Sequence, residues 1–215
     1  MNQLTFNIDS FITGIIDRYN GSTNTDHTES IKQELAYTFL GIFGTDKEQI
    51  VEALLQSIQT LTLNDLDVGD AYYTKTDGEP TLKKFMINES RLRQANENRG
   101  RMKNAIDSLL SELAGTPKGA HHSIRITNLN SFSAYLDRLC TERIKEYTFR
   151  HKQYKLQEAE HQVFLVKAII QEIKKLFIEI FKQEGYSFIG EKRTFDEHKL
   201  IYDISQVVKN ISTDS

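Results

Sequence analysis

Arg193 and His198 stand with four residues between them in the run Arg-Thr-Phe-Asp-Glu-His, placing a permanent cation near a titratable imidazole. An imidazole moves protons at neutral pH and a guanidinium holds charge on a phosphate, so the pair has the parts for phosphodiester chemistry. Glu158 and His161 form a Glu-x-x-His pair. That spacing aims two ligands from one helix face in di-iron carboxylate bundles, but such a centre needs a second pair and two further glutamates. No second Glu-x-x-His occurs. His121 and His122 sit in a glycine-flanked segment without other ligands at useful spacing. The expectation is therefore no metal and no cofactor. Phosphate-cradling glycine loops, nucleophile elbows and zinc-protease helices are also missing from the sequence.

The Arg-x4-His spacing resembles the Arg-x(4–6)-His signature of HEPN-type ribonucleases, small helical bundles that often dimerise. The resemblance implies His198 as the acid/base or substrate-positioning group and Arg193 as the group stabilising charge at the scissile phosphate. Thr194 loosely meets the family's polar residue after the arginine. The resemblance covers only these few residues. Thr194 and Glu197 also form a capping box, which sets Arg193 just outside the helix that follows. On that reading the run is a capped helix start carrying a surface arginine and a histidine.

A second chemistry lies in the stretch from Lys83 to Lys103, where seven cations face only Glu89 and Glu97. Arg91, Gln94, Asn98 and Arg101 recur at helical spacing and share one face, with Arg93, Arg99 and Lys103 beside them. Arginines and amides on one face suit phosphates and base edges, and they equally suit an acidic protein surface. Residues 1–70 carry 11 acidic and 3 basic side chains, a balance of −8, while residues 71–215 carry +5. The acidic partner can thus be the same chain, a second copy, or a polyanion. Arg99 and His151 each interrupt an apolar stripe. Cys140, the one cysteine, lies on a stripe and reads as a buried, inert thiol.

The elements that position these residues are helical. Ile8, Phe11, Ile12, Ile15 and Ile16 predict a helix over Ile8–Tyr19. Ile31, Leu35, Phe39 and Ile42 predict a second, ending near Gly44. Thr45 and Glu48 form a capping box for a third with Val51, Leu54, Leu55, Ile58 and Leu61. These make an acidic three-helix unit, 1–65. The helical period then lapses, and 66–87, with Tyr72-Tyr73-Thr74 and Asp77-Gly78, reads as a loop or short hairpin connector. A helical bundle is expected over 88–215. It holds a helix from Asn88 to Ala114, an extended segment or single strand at Ser123–Leu129, and a last helix with Leu200, Ile204, Val208 and Ile211.

Between Ser131 and Glu184 no proline or glycine interrupts the pattern. Read as one coiled-coil-like helix, it would reach roughly 80 Å at about 1.5 Å per residue. Leu156, Val163, Val166, Ile170, Ile173, Phe177 and Ile180 form a seam for a partner helix, from within the chain or from a second copy. An earlier series through Leu136, Cys140, Ile144 and Tyr147 slips out of phase between Tyr154 and Leu156, so a kink or break is expected there.

The chain is 39% hydrophobic, with 2 prolines and 11 glycines, and no window nears the roughly 18 apolar residues of a membrane span. Met1–Asn20 lacks the basic start of a signal peptide. These features predict a mainly α, elongated helical bundle in the cytoplasm. Its expected role is that of a non-enzymatic interaction subunit, an adaptor or scaffold, with another subunit or itself as partner and no membrane. The alternatives are a HEPN-like ribonuclease using Arg193 and His198, and a helical nucleic-acid-binding protein.

Overall fold

The computed structural model describes residues 2–22, 25–74, 82–115, 131–183 and 185–186, and every regular element among them is helical. Helix α1 spans Asn2–Tyr19 and α2 Thr25–Phe43. A 3-10 turn at Thr45–Lys47 leads into α3, Glu48–Thr74, which is followed by α4, Leu82–Ala114. Helix α5, Phe132–Tyr147, is separated from α6, Leu156–Gln183, by a π-helical turn at Thr148–Lys152.

The α1 apolar stripe starts a turn earlier than expected, since Leu4 is buried with Ile8, Phe11, Ile12, Ile15 and Ile16. The helix ends where the Asn20 side chain donates to the Ile16 carbonyl and Gly21 turns left-handed at φ 73°. The Thr45–Glu48 capping box does not form. The chain instead enters the 3-10 turn through Gly44, at φ 113° and with no side-chain cap.

The expected connector at 66–87 is corrected at both ends. Helix α3 runs on to Thr74 and α4 begins at Leu82, leaving only 75–81 outside the described residues. The apolar period lapses after Leu61 because polar residues occupy buried positions of the same helix. Thr62 donates back to the Ile58 carbonyl at 2.9 Å, and its hydroxyl lies 3.3 Å from the Cys140 sulfur. Asn64 donates to the Thr60 carbonyl, and Asp65 meets a cation of α4. A helix whose polar core residues bond locally or across to a neighbour keeps its geometry while losing its apolar signature.

The long helix is also corrected. The chain breaks after Lys152, and Tyr154 takes φ 55°, which reverses the path so that α6 packs back along α5. Phe132, at the start of α5, meets Phe177 of α6 edge-on at 5.3 Å, and Phe177 reaches Phe39 of α2 at 6.4 Å. Such an antiparallel pair holds the expected seam inside its own fold. Val166, Ile173, Phe177 and Ile180 are buried and Val163 and Ile170 partly so, while Leu156 at the helix start is 60% exposed. Helix α6 also packs on α1, and Phe181 near its end stacks on Phe43 of α2 at 6.0 Å. One apolar cluster draws on α1, α2, α3, α4, α5 and α6 together. The strand at Ser123–Leu129, the Thr194–Glu197 cap and the last helix lie outside the described residues.

Candidate functional site

Helix α4 divides its cations between two fates. Arg91 donates to Asp67 of α3 at 3.2 Å, with both side chains about half exposed. Arg93, Gln94 and Arg101 are exposed, and neither arginine makes an ion pair among the described residues. Asn98 is half-buried. Arg99 turns the other way, into the junction of α3, α4 and α5. Its Nη2 donates to Asp137 Oδ1 at 2.8 Å, its Nη1 to Asn96 at 2.9 Å, and its Nε lies against Asp65. Lys103 adds a contact of 3.2 Å to the second Asp137 oxygen. Of the seven candidate binding residues, Arg99 and Lys103 are thus engaged within the chain.

Burial and charge compete at this junction. The Asp65 side chain is 3% exposed, and neither of its oxygens has an aligned hydrogen bond, so Arg99 holds it by charge alone. Burial pushes the Asp65 carboxyl well above its ordinary range, and Arg99 only partly counters this. Burial also works against the Arg99 charge, but Asp65 and Asp137 more than offset it. Cys140 lies beside them, fully buried, and burial raises its thiol well above the usual value. A thiol so placed has neither thiolate character nor access. Native protein should leave Cys140 unmodified by a thiol-reactive dye, with one equivalent reacting on unfolding; rapid labelling of the native chain would contradict this burial.

A second network ties the acidic and basic parts of the chain. Arg143 of α5 holds both oxygens of Asp9 of α1, with Nε at 2.8 Å, and its Nη1 donates to Glu146 at 2.6 Å. Arg150 takes the other Glu146 oxygen at 3.1 Å. Glu142, wholly buried, is bracketed by Arg138 and Lys145. The charge asymmetry of the sequence therefore resolves, in part, into contacts within the molecule: Asp9 with Arg143, Asp65 with Arg99, and Asp67 with Arg91.

A third group joins α4, α5 and the segment after α6. Asp107 Oδ1 accepts from the Ser133 backbone at 3.0 Å and from the Tyr186 hydroxyl at 2.9 Å, and Oδ2 accepts from Ser133 Oγ at 2.6 Å. The Tyr186 oxygen in turn accepts from the Phe132 backbone at 3.0 Å. Ser111 donates to the Tyr186 carbonyl, and Ser131 caps α5. Burial first, and then Asp107, drive the Tyr186 phenol far up.

At the π-turn the Tyr147 and His151 rings lie 4.7 Å apart, and the Tyr147 hydroxyl bonds Ser22. Burial raises the Asp17 carboxyl nearby, an effect opposed first by His151. A water-sized recess lies between Ile16, Asn20, Leu66, Gly69, Ile144 and Tyr147. π-turns recur at functional sites, and a left-handed tyrosine beside one is a further departure from regular geometry.

Arg193, His198, His121 and His122 lie outside the described residues, and Glu158 and His161 are exposed on α6. Among the described residues no three His, Cys, Asp or Glu side chains are grouped to hold a metal ion, and no helix is long and apolar enough to cross a membrane. Asp9, Asp65, Asp107, Asp137 and Tyr186 escaped sequence reasoning. The one available signal was Arg99 interrupting an apolar stripe, since a buried arginine requires carboxylates opposite. Comparison with family models, with curated proteins and with solved structures finds no match.

Proposed function

We propose that this chain is a non-enzymatic helical interaction subunit, an adaptor or scaffold of a cytoplasmic assembly, whose partner is another protein or a second copy. The reading is supported by the contrast between interior and surface. Asp65 and Cys140 are buried and Arg99 and Asp137 mostly so, each charge matched by another, which suits a structural junction better than a reaction centre. Meanwhile Phe6, Tyr37 and Phe164 stand 64%, 74% and 66% exposed on α1, α2 and α6. Aromatic side chains left in water are the usual anchors of protein interfaces. The α6 seam is filled from within, so association would use these outer aromatics.

Light scattering during size-exclusion chromatography of natively purified protein tests the reading. A discrete dimer or a stoichiometric companion is expected, released by Tyr37→Ser or Phe164→Ser with the helical circular dichroism unchanged. A companion-free monomer at every concentration would remove the proposal.

A further inference from the structure

The turn between α5 and α6 carries a surface with no role in the fold. From Thr148 to Gln157 the chain holds Arg150, His151, Lys152 and Lys155 and no carboxylate, with Phe149 just before the cations and Tyr154 between two of them. The backbone on either side of Tyr154 is pinned. Gln153 donates to the Thr148 carbonyl at 2.9 Å, Lys155 to the Phe149 carbonyl at 2.8 Å, and Ala159 to the Lys155 carbonyl at 3.0 Å. Tyr154 itself adopts φ 55°, a conformation that glycine takes freely and a side chain resists. Its ring recovers none of that cost from the protein, because the residue is 80% exposed. A rigidly presented aromatic in water is therefore a feature in need of an external ligand.

The charges around it define the ligand. Lys152 and Lys155 are exposed and make no ion pair among the described residues. Arg150 is engaged by Glu146, which Arg143 also holds, and His151 lies near Asp17 with its ring tilted against Tyr147. Glu158 and Glu160, exposed on the first turns of α6, disfavour an anion there. A flat ring between two unpaired cations matches the alternation of base and phosphate along a single strand. An anionic bilayer fits less well, since Leu156 is the only aliphatic side chain at the tip and two glutamates follow it.

We propose that the turn at 148–156 is a contact site for single-stranded nucleic acid, with Tyr154 stacking on a base and Lys152 and Lys155 holding the adjacent phosphates. The site is separate from the aromatics of the proposed protein interface and stands whether or not that interface exists.

The test is fluorescence anisotropy of a labelled oligouridylate of about 16 nucleotides with the full chain. It is run at about 50 mM and about 200 mM salt, beside vesicles containing phosphatidylserine. Wild-type protein is expected to bind the oligonucleotide, less tightly at the higher salt. Tyr154→Gly should weaken binding by about tenfold while the thermal midpoint holds or rises, because glycine relaxes the backbone. Lys152→Gln with Lys155→Gln should lower the slope of log affinity against log salt by about 1.4. Arg93→Gln with Arg101→Gln should leave binding unchanged. The proposal is overturned by no binding at the lower salt, by a Tyr154→Gly variant that binds like wild type, by loss confined to the Arg93 and Arg101 variant, or by binding to vesicles alone.

Discussion

Arg99→Met is expected to lower the stability of the chain by about 3–5 kcal/mol near neutral pH, the usual cost of removing one partner of a buried ion pair. The substitution keeps most of the side-chain volume, so the loss is electrostatic. Without Arg99, Asp65 of α3 keeps only the more distant charge of Lys103 and no aligned hydrogen bond, while Asp137 keeps its contact with Lys103. The dependence on pH identifies the responsible group. Burial already holds the folded Asp65 carboxyl above its unfolded value, so a bound proton favours the folded state. That contribution is complete below the ordinary carboxylate range, about pH 3.9, and is lost as pH rises through the folded value. Arg99 is the main influence pulling that value down, so its removal widens the window over which stability falls with rising pH.

Urea denaturation across mildly acidic to alkaline buffers should therefore show the variant recovering on acidification much more than wild type does. Asp65→Asn alone should change stability little and flatten the pH dependence, since it removes a desolvated charge while Arg99 keeps Asp137. In the Arg99→Met background, Asp65→Asn should restore most of the loss. A loss that is independent of pH, or one that Asp65→Asn does not relieve, would place the cause in packing rather than in the stranded carboxylate.

The same residues mark how far the fold could be read from the sequence. Stripes built from apolar side chains alone were legible, as with α1 and the Val166–Ile180 part of α6. Helix α3 was cut short because Thr62, Asn64 and Asp65 are buried, and a periodicity of hydrophobicity counts such residues as surface. Thr62 and Asn64 bond α3's own backbone, and the contacts of Thr62 with α5 and of Asp65 with α4 are too distant in sequence to leave a local trace. The slip of phase after Tyr154 did locate the break between α5 and α6. It could not distinguish a bend from a reversal, because that depends on the left-handed backbone of one non-glycine residue. Of the candidate binding residues, Arg91, Arg93, Gln94 and Arg101 are exposed and Asn98 is half-buried. Arg99 lies two positions before Arg101 and Lys103 four positions after Arg99, on the side of α4 where Asp65 and Asp137 wait.

Asp107→Ala is the second substitution with a large expected effect, about 3 kcal/mol, because one carboxylate serves three donors. Its loss strands the Ser133 backbone N–H at the start of α5 and the Tyr186 hydroxyl proton beyond α6, and leaves the Ser133 hydroxyl only Ser131 as partner, all within or beside the core. It also removes a negative charge from the N-terminal end of α5, where the helix dipole favours one. Tyr186→Phe separates the contributions. The ring and its packing stay, the Phe132 backbone N–H loses its acceptor, and Asp107 loses one donor, for an expected cost of about 1–3 kcal/mol. Because burial lifts the folded phenol above its unfolded value, the neutral hydroxyl supports folding fully below about pH 10, and that support is lost as pH rises further. Alkaline titration followed at the tyrosinate absorbance should thus show a step coincident with loss of helical circular dichroism, and Tyr186→Phe should reduce the amplitude of that step. A Tyr186→Phe protein with unchanged stability and an unchanged step would mean that α4, α5 and the end of α6 are held together by their apolar contacts alone, with the Asp107 cluster energetically idle.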